Sequence, residues 1–280
     1  MIELQTKTRD YAPVTTLKPK LQGGQIQGGA LARIGFMTWF FDSISMEEME
    51  PVALQNRVDT KFGFSISQLA AILPALQENY RILGISNKRL QDYQTLYFDT
   101  HGFDFFKLHV NQRSDEYKVR IRRYLSTNTS FLEVKHKNNK QRTEKQRVAL
   151  DPNFPIMDAE AGSWVLDHIP GQYWPLEPVL MNTFTRLVFV DRQLTERVTV
   201  DLEIRFNSNN RLAETGQLVV AEVKRASAHQ PSQFLEVCRQ NHLFPMGFSK
   251  YCLGVAMLYE EAKKNNLKAK LRWLEKVNHE

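Results

Sequence analysis

Between residues 117 and 147, charged and apolar side chains alternate in three successive stretches. A period of two is the pattern of a β-strand with one wet and one dry face. In YKVRIRR, Lys118, Arg120 and Arg122 alternate with Tyr117, Val119 and Ile121. In FLEVKHK, Glu133, Lys135 and Lys137 alternate with Leu132, Val134 and His136, and in TEKQR, Thr143, Lys145 and Arg147 keep the spacing. Three neighbouring strands would aim seven cations and one carboxylate at a single sheet face. Like charges side by side across a sheet repel one another, so a polyanion is the expected partner of that face. A solvated sheet face explains one such strand more readily than three in a row.

The basicity is local. Residues 113–147 carry eleven Lys or Arg against four Asp or Glu, a larger surplus than the +6 of the whole chain, so the rest is slightly acidic. Around this stretch the pattern predicts an α+β domain. Residues 1–45, with two Gly-Gly pairs, read as an N-terminal arm, flexible or docking through the apolar segment 31–41, and residues 46–280 as one domain. Strand periodicity also appears in NRVDTKFGFS, LQDYQTLYFDT, MNTFTRLVFVD, RVTVDLEIRF and QLVVAEVKRA. Helices are expected at 68–79 with Ser67 as N-cap, near 159–168, at 231–240 and as one long element over 253–277, with a helical turn at 103–109. About eight antiparallel strands with one polar and one apolar face each, and helices covering the apolar faces, suggest a barrel with a polar lumen rather than a sandwich.

Arg57, Lys61, Arg186, Arg197 and Arg205 join the seven cations on the predicted inner face, with Asp59, Glu133, Asp201, Glu203 and Glu222 as its acidic minority. Arg forks and Lys point charges suit a chain of phosphates. A carboxylate among them, Glu222 first, is placed to hold Mg²⁺ or Mn²⁺ against phosphate oxygens, though for any one of these acids a salt-bridge role is as plausible. FSKY puts Ser249 and Lys250 ahead of the last helix, as an N-cap or as a site for a terminal phosphate. The chain has no GxxxxGK[ST] loop, no GxSxG elbow and no metal-type His spacing. Cys238 and Cys252, the only cysteines, sit in apolar surroundings and suggest a reducing compartment. The polar start and the absence of a long apolar run predict a soluble cytoplasmic protein. Nucleic acid is not expected, because the aromatic neighbours Tyr117 and Phe131 are assigned to the apolar face, away from the cations.

RVDTKF at 57–62, YQTLYFDT at 93–100, YKVRIR at 117–122, FLEVK at 131–135 and FSKY at 248–251 together resemble the VTC domain. This is the catalytic domain of the vacuolar transporter chaperone complex and its bacterial relatives, and the similarity runs from about residue 50 to 260. The resemblance implies a triphosphate tunnel, or CYTH-like, fold and metal-dependent transfer of the ATP γ-phosphate to a polyphosphate chain. It places Lys61, Arg120, Arg122, Lys135, Lys145, Arg186 and Arg197 at basic tunnel positions, Ser249 and Lys250 at a phosphate-binding tip, and Glu222 at the metal. Arg120, Arg122, Lys135 and Arg186 are the expected catalytic set. Lys61, Lys118, Lys137, Lys145, Arg147, Arg197, Ser249 and Lys250 are the expected substrate-binding set. ATP and polyphosphate are the implied partners, with a separate membrane protein for which segment 31–41 is the candidate docking point. The ExExK signature of hydrolytic tunnel relatives is here RVDTK, and Phe184 stands where a tyrosine is expected two positions before Arg186. The alternatives are a tunnel triphosphatase and a non-catalytic polyphosphate binder.

Overall fold

A computed structural model of the chain describes residues 27–53, 57–113, 115–139, 143–153 and 155–279; most of the N-terminal arm lies outside them. In chain order the elements are α1 (Gln27–Thr38), β1 (Ser43–Ile44), β2 (Val58–Ser65), α2 (Ile66–Leu76), β3 (Tyr80–Leu83), β4 (Gln91–Asp99) and α3 (Asp104–Val110). Then come β5 (Glu116–Tyr124), β6 (Thr129–Lys137), β7 (Thr143–Leu150), α4 (Ala159–Leu166), β8 (Glu177–Asp191) and β9 (Glu196–Ser208). β10 (Arg211–Glu214), β11 (Leu218–Arg225), α5 (Gln233–Gln240), α6 (Lys250–Leu258) and α7 (Lys268–Val277) complete the chain.

The three alternating stretches are β5, β6 and β7, paired antiparallel in that order. They end a sheet of eleven strands, ordered β2-β11-β9-β8-β4-β5-β6-β7, rather than the eight or so expected. β3 adds to β8, β10 adds to β9, and the short β1 pairs parallel with β3. Among the described residues the barrel is not closed by hydrogen bonds, because β2 and β7 remain separate ends of the path. The free edge of β2 is already used: Met246 N donates to Lys61 O at 2.8 Å, and Phe62 bridges to Pro245. The sheet is nevertheless curled into a tunnel-like form. Lys135 on β6 feels the charges of Lys61 on β2 and Glu222 on β11, strands near opposite ends of the path.

Apolar side chains on the outer face explain most of the helices. Phe62, Phe64, Leu187, Phe189, Val198, Val200, Val219, Ala221 and Val223 are buried under α1, α2 and α5. Val119, Ile121, Leu132 and Val134 of the basic strands are buried with Phe105 of α3 and Val165 of α4. Helix α2 starts earlier than expected. Its N-cap is Ser65, not Ser67, in a reciprocal box where Gln68 N donates to Ser65 Oγ (3.3 Å) and Ser65 N donates to Gln68 Oε1 (2.9 Å). Helix α1 seats Ile34 and Thr38 in this core, followed by Phe41, while Phe36, Trp39 and Phe40 face water at 64%, 55% and 58% exposure.

The long C-terminal helix expected over 253–277 is instead two, α6 and α7, and α6 does not cover the outer face. It packs on the inner face, where Leu180, Phe206, Leu218 and Val220 supply an apolar floor. A Cβ on Gly254 would come within 2.5 Å of Leu180 and 2.7 Å of Phe206, so only glycine lets α6 lie this close. At the other end of the inner face, Ile44 and Val52 cover Val188 and Val190. The polar part of the face lies between these two covers. No described helix is long and apolar enough to cross a membrane.

Candidate functional site

Cross-strand partners point to the same face of a sheet, so the register identifies the site. Lys118, Arg120 and Arg122 pair with Lys135, Glu133 and Phe131, and Glu133 and Lys135 pair in turn with Arg147 and Lys145. On the other side, Arg120 pairs with Tyr97 and Arg186 with Asp201. Glu222 lies between Lys61 and Thr199, and Lys224 lies between Asp59 and Arg197. Eleven of the thirteen predicted site residues sit on these strands; Lys250 reaches the same face from the N-terminus of α6, where Ser249 is the N-cap.

The acids on this face each tie cations together. Glu133, only 1% exposed, accepts from Arg120 Nε at 2.7 Å and from Lys145 Nζ at 2.5 Å. Asp201 accepts from Arg186 Nε (2.5 Å) and Nη2 (2.8 Å), and from Lys250 Nζ. Glu222 Oε2 accepts from Lys224 Nζ at 2.5 Å, with Lys61 Nζ 3.9 Å from Oε1. Glu116 lies 3.6 Å from Lys118, 3.8 Å from Lys137 and 2.6 Å from His109. Burial alone would raise these carboxyl pKa values, but the surrounding cations and hydrogen bonds win. Glu116 is held down to about 2, and Glu133, Asp201 and Glu222 are held well below the usual carboxylate range.

Other cations of the face have no such partner, Arg147 among them, which has only a ring contact. Lys135, Arg122 and Arg197 have no hydrogen bond or ion pair among the described residues, and the Nε atoms of Arg122 and Arg197 are buried without an acceptor. An unpaired buried donor carries a desolvation penalty of about 1–3 kcal/mol, more for a charged group. Burial and the neighbouring lysines Lys61 and Lys118 lower Lys135 to about 8. Arg197 is lowered by burial and then by Arg57 and Arg186. The remaining predicted contacts are placed as follows. Lys61 donates to Phe248 O at 3.3 Å, Arg147 lies over the Phe131 ring at 4.6 Å, and Ser249 is the N-cap of α6, accepting from Cys252 N at 3.4 Å.

Two expectations about the face are corrected. Glu203 and Arg205 do not belong to it. β9 carries an extra residue opposite Thr183–Thr185, with Glu203 at φ 49°, so the alternation flips and Ile204 and Phe206 take the inward positions. Arg205 instead pairs with Glu214 at 3.0 Å. Phe131 was assigned to the apolar face but shares the charged face with Glu133, opposite Arg122. It belongs to an aromatic band that sequence reasoning missed, formed by Phe184, Tyr93, Tyr124 and Phe131 on four adjacent strands, with ring centroids 5.1, 5.0 and 5.9 Å apart in turn. Parity within each strand was enough to place these rings; the strand neighbours were not known. Tyr97 was also missed: it is buried, 5.1 Å from the ring of Tyr251, and lies among Arg120, Arg122 and Lys250, which lower its phenol pKa against the effect of burial.

Among the described residues no three His, Cys, Asp or Glu gather as around an ion. Mg²⁺ and Mn²⁺ do not require that when a phosphate ligand completes the shell. Glu222 fits such a shared site: it is ionised, it shares a face with the cations, and its Oε1 has only the long contact to Lys61.

A family model described as VTC domain matches residues 56–259. Comparison with curated proteins gives no match. Among solved structures, the chain is similar to a Hippeastrum protein described as an adenylyl cyclase with a dominant triphosphatase activity (14% identity, 73% of this chain and 98% of that chain, TM-score 0.48). It is also similar to a Vibrio parahaemolyticus protein described as an adenylate cyclase (12%, 71% and 99%, TM-score 0.42) and to a Pyrococcus horikoshii OT3 protein (14%, 71% and 96%, TM-score 0.41).

Proposed function

The chain belongs to the VTC domain family, and from that premise we propose that it is an ATP-dependent polyphosphate polymerase, moving the γ-phosphate of ATP onto the end of a phosphate chain held along the cationic face. The observation that carries this reading is the surplus of Arg122, Lys135 and Arg197, inward-facing cations with no hydrogen-bond or ion-pair partner among the described residues, beside cations already fixed in place by Glu133, Asp201 and Glu222. The fixed cations are positioned before any ligand arrives, and the free ones have hydrogen bonds to give.

In this reading Lys118, Arg120, Arg122, Lys135, Lys145 and Arg147 hold the triphosphate, with Lys137 and Lys61 near Glu116 and Glu222. Arg186 and Lys250, joined through Asp201, face the transferring group. Lys135 and the arginines neutralise charge that builds on the oxygens as the bond to ADP breaks and the bond to the terminal phosphate of the chain forms. The site contributes position and charge rather than covalent chemistry. Glu222, together with substrate oxygens, is the residue to hold Mn²⁺ or Mg²⁺, which would supply further charge neutralisation between phosphates.

The carboxylates favour a phosphate acceptor over water. A water nucleophile gains from a general base with a pKa near the working pH. Glu116, Glu133, Asp201 and Glu222 are all held far below it by their cations. A phosphate oxygen is already anionic near neutral pH and needs no base. Incubation with ATP and Mn²⁺ followed by a polyphosphate gel tests this. Ladders that disappear in Arg122→Ala are expected, whereas orthophosphate without chains would select a triphosphatase. Tight polyphosphate binding without ATP turnover would select a binder.

A further inference from the structure

The aromatic band serves no purpose for an inorganic phosphate chain. Phe184 and Tyr93 are buried and stacked at 14° between planes, but Tyr124 and Phe131 are only half-buried, at the end of the β5–β6 hairpin. Both lie on the cationic face: Tyr124 is two residues from Arg122 along β5, about 7 Å of strand, and Phe131 is the cross-strand partner of Arg122. Arg147, on the neighbouring strand, lies over the Phe131 ring at 4.6 Å. Half-open rings and a stacking guanidinium next to a phosphate-binding arginine form a place for a planar group joined to phosphates.

We propose that Tyr124, Phe131 and Arg147 form a subsite for the base of a nucleoside triphosphate, at the β5–β6 hairpin end of the cationic face. This rests on the polymerase reading and gives it a direction. With the base at Tyr124, the triphosphate runs along β5 past Arg122 and Arg120 towards Lys118, and the acceptor chain comes from the opposite side. Stacking on these rings is tolerant of base identity, since every base has a π-face. The subsite distinguishes nucleotides from inorganic phosphates, and it does not distinguish adenine from guanine.

The test is calorimetric titration of the full chain, at fixed Mn²⁺, with ATP, GTP and inorganic tripolyphosphate. Phe131→Leu and Tyr124→Leu remove the π-face and keep apolar bulk, and Phe131→Trp restores a ring. Both Leu variants are expected to bind ATP and GTP on the order of tenfold more weakly, with tripolyphosphate unchanged and Phe131→Trp close to the parent. If all three ligands weaken together, the rings merely support the sheet and the proposal falls. It falls equally if none weakens. Parent protein that binds tripolyphosphate but not nucleotides overturns the subsite and leaves the phosphate tunnel standing, whereas parent protein that binds neither overturns both.

Discussion

Lys135 shows how one residue can couple function to pH. Burial and two nearby lysines bring it to about 8, against roughly 10.4 for an unperturbed lysine. Between those values the unfolded chain holds a proton that the folded one does not, so the stability contribution grows as pH rises through about 8. Binding has the opposite sign, because a polyanion needs the protonated form. Affinity for tripolyphosphate should fall by up to about tenfold per pH unit above that value, and Lys135→Arg, which does not titrate there, should flatten the profile. A titration series between about pH 7 and 9.5 checks this; equal slopes in both proteins would contradict it. Glu133 makes a second test. Removing its charge in Glu133→Gln leaves Arg120 and Lys145 facing each other, a loss of about 3 kcal/mol for a broken buried ion pair. Added tripolyphosphate should recover part of that loss in urea melts, since the ligand supplies the missing negative charge. No recovery would mean the cluster is structural only.

The secondary-structure elements show what the sequence could and could not reveal. The period of two in residues 117–147 placed β5, β6 and β7 and their seven cations correctly, because a regular strand keeps its parity from end to end. β9 does not: one extra residue at Glu203 reverses the faces beyond Asp201, and no local signal in VDLEIRF announces it. The apolar periodicity of 253–277 gave helix but not the face it would cover. The inner floor for α6 exists only once Leu180, Phe206 and Val220 come together from three strands. Phe131 was misassigned although its spacing from Glu133 was legible. At the N-terminal side, α1 is apolar on both faces, and packing separates them. Ile34→Ala should lower stability by about 2–5 kcal/mol, the usual range for a buried Ile, while Phe36→Ser, more than half exposed, should stay within about 0.5 kcal/mol. Denaturant melts of the two variants decide it. Comparable losses would show that Phe36 is covered in the folded protein.

Across the whole molecule, a net charge of +6 is concentrated on one concave face whose carboxylates are all committed to cations. Among the described residues no ladder joins β2 to β7, and the curl of the sheet alone brings the two ends of the path towards one another. In the proposed reaction a phosphate chain grows on this face at the expense of ATP. Following the label from γ-³²P ATP with Mn²⁺, in the parent and in Arg122→Ala, tests it most directly. Label is expected to accumulate in acid-precipitable chains of increasing length, and the variant to lose this by on the order of 100-fold or more. Label recovered only as orthophosphate, or chain growth indifferent to Arg122, would contradict it.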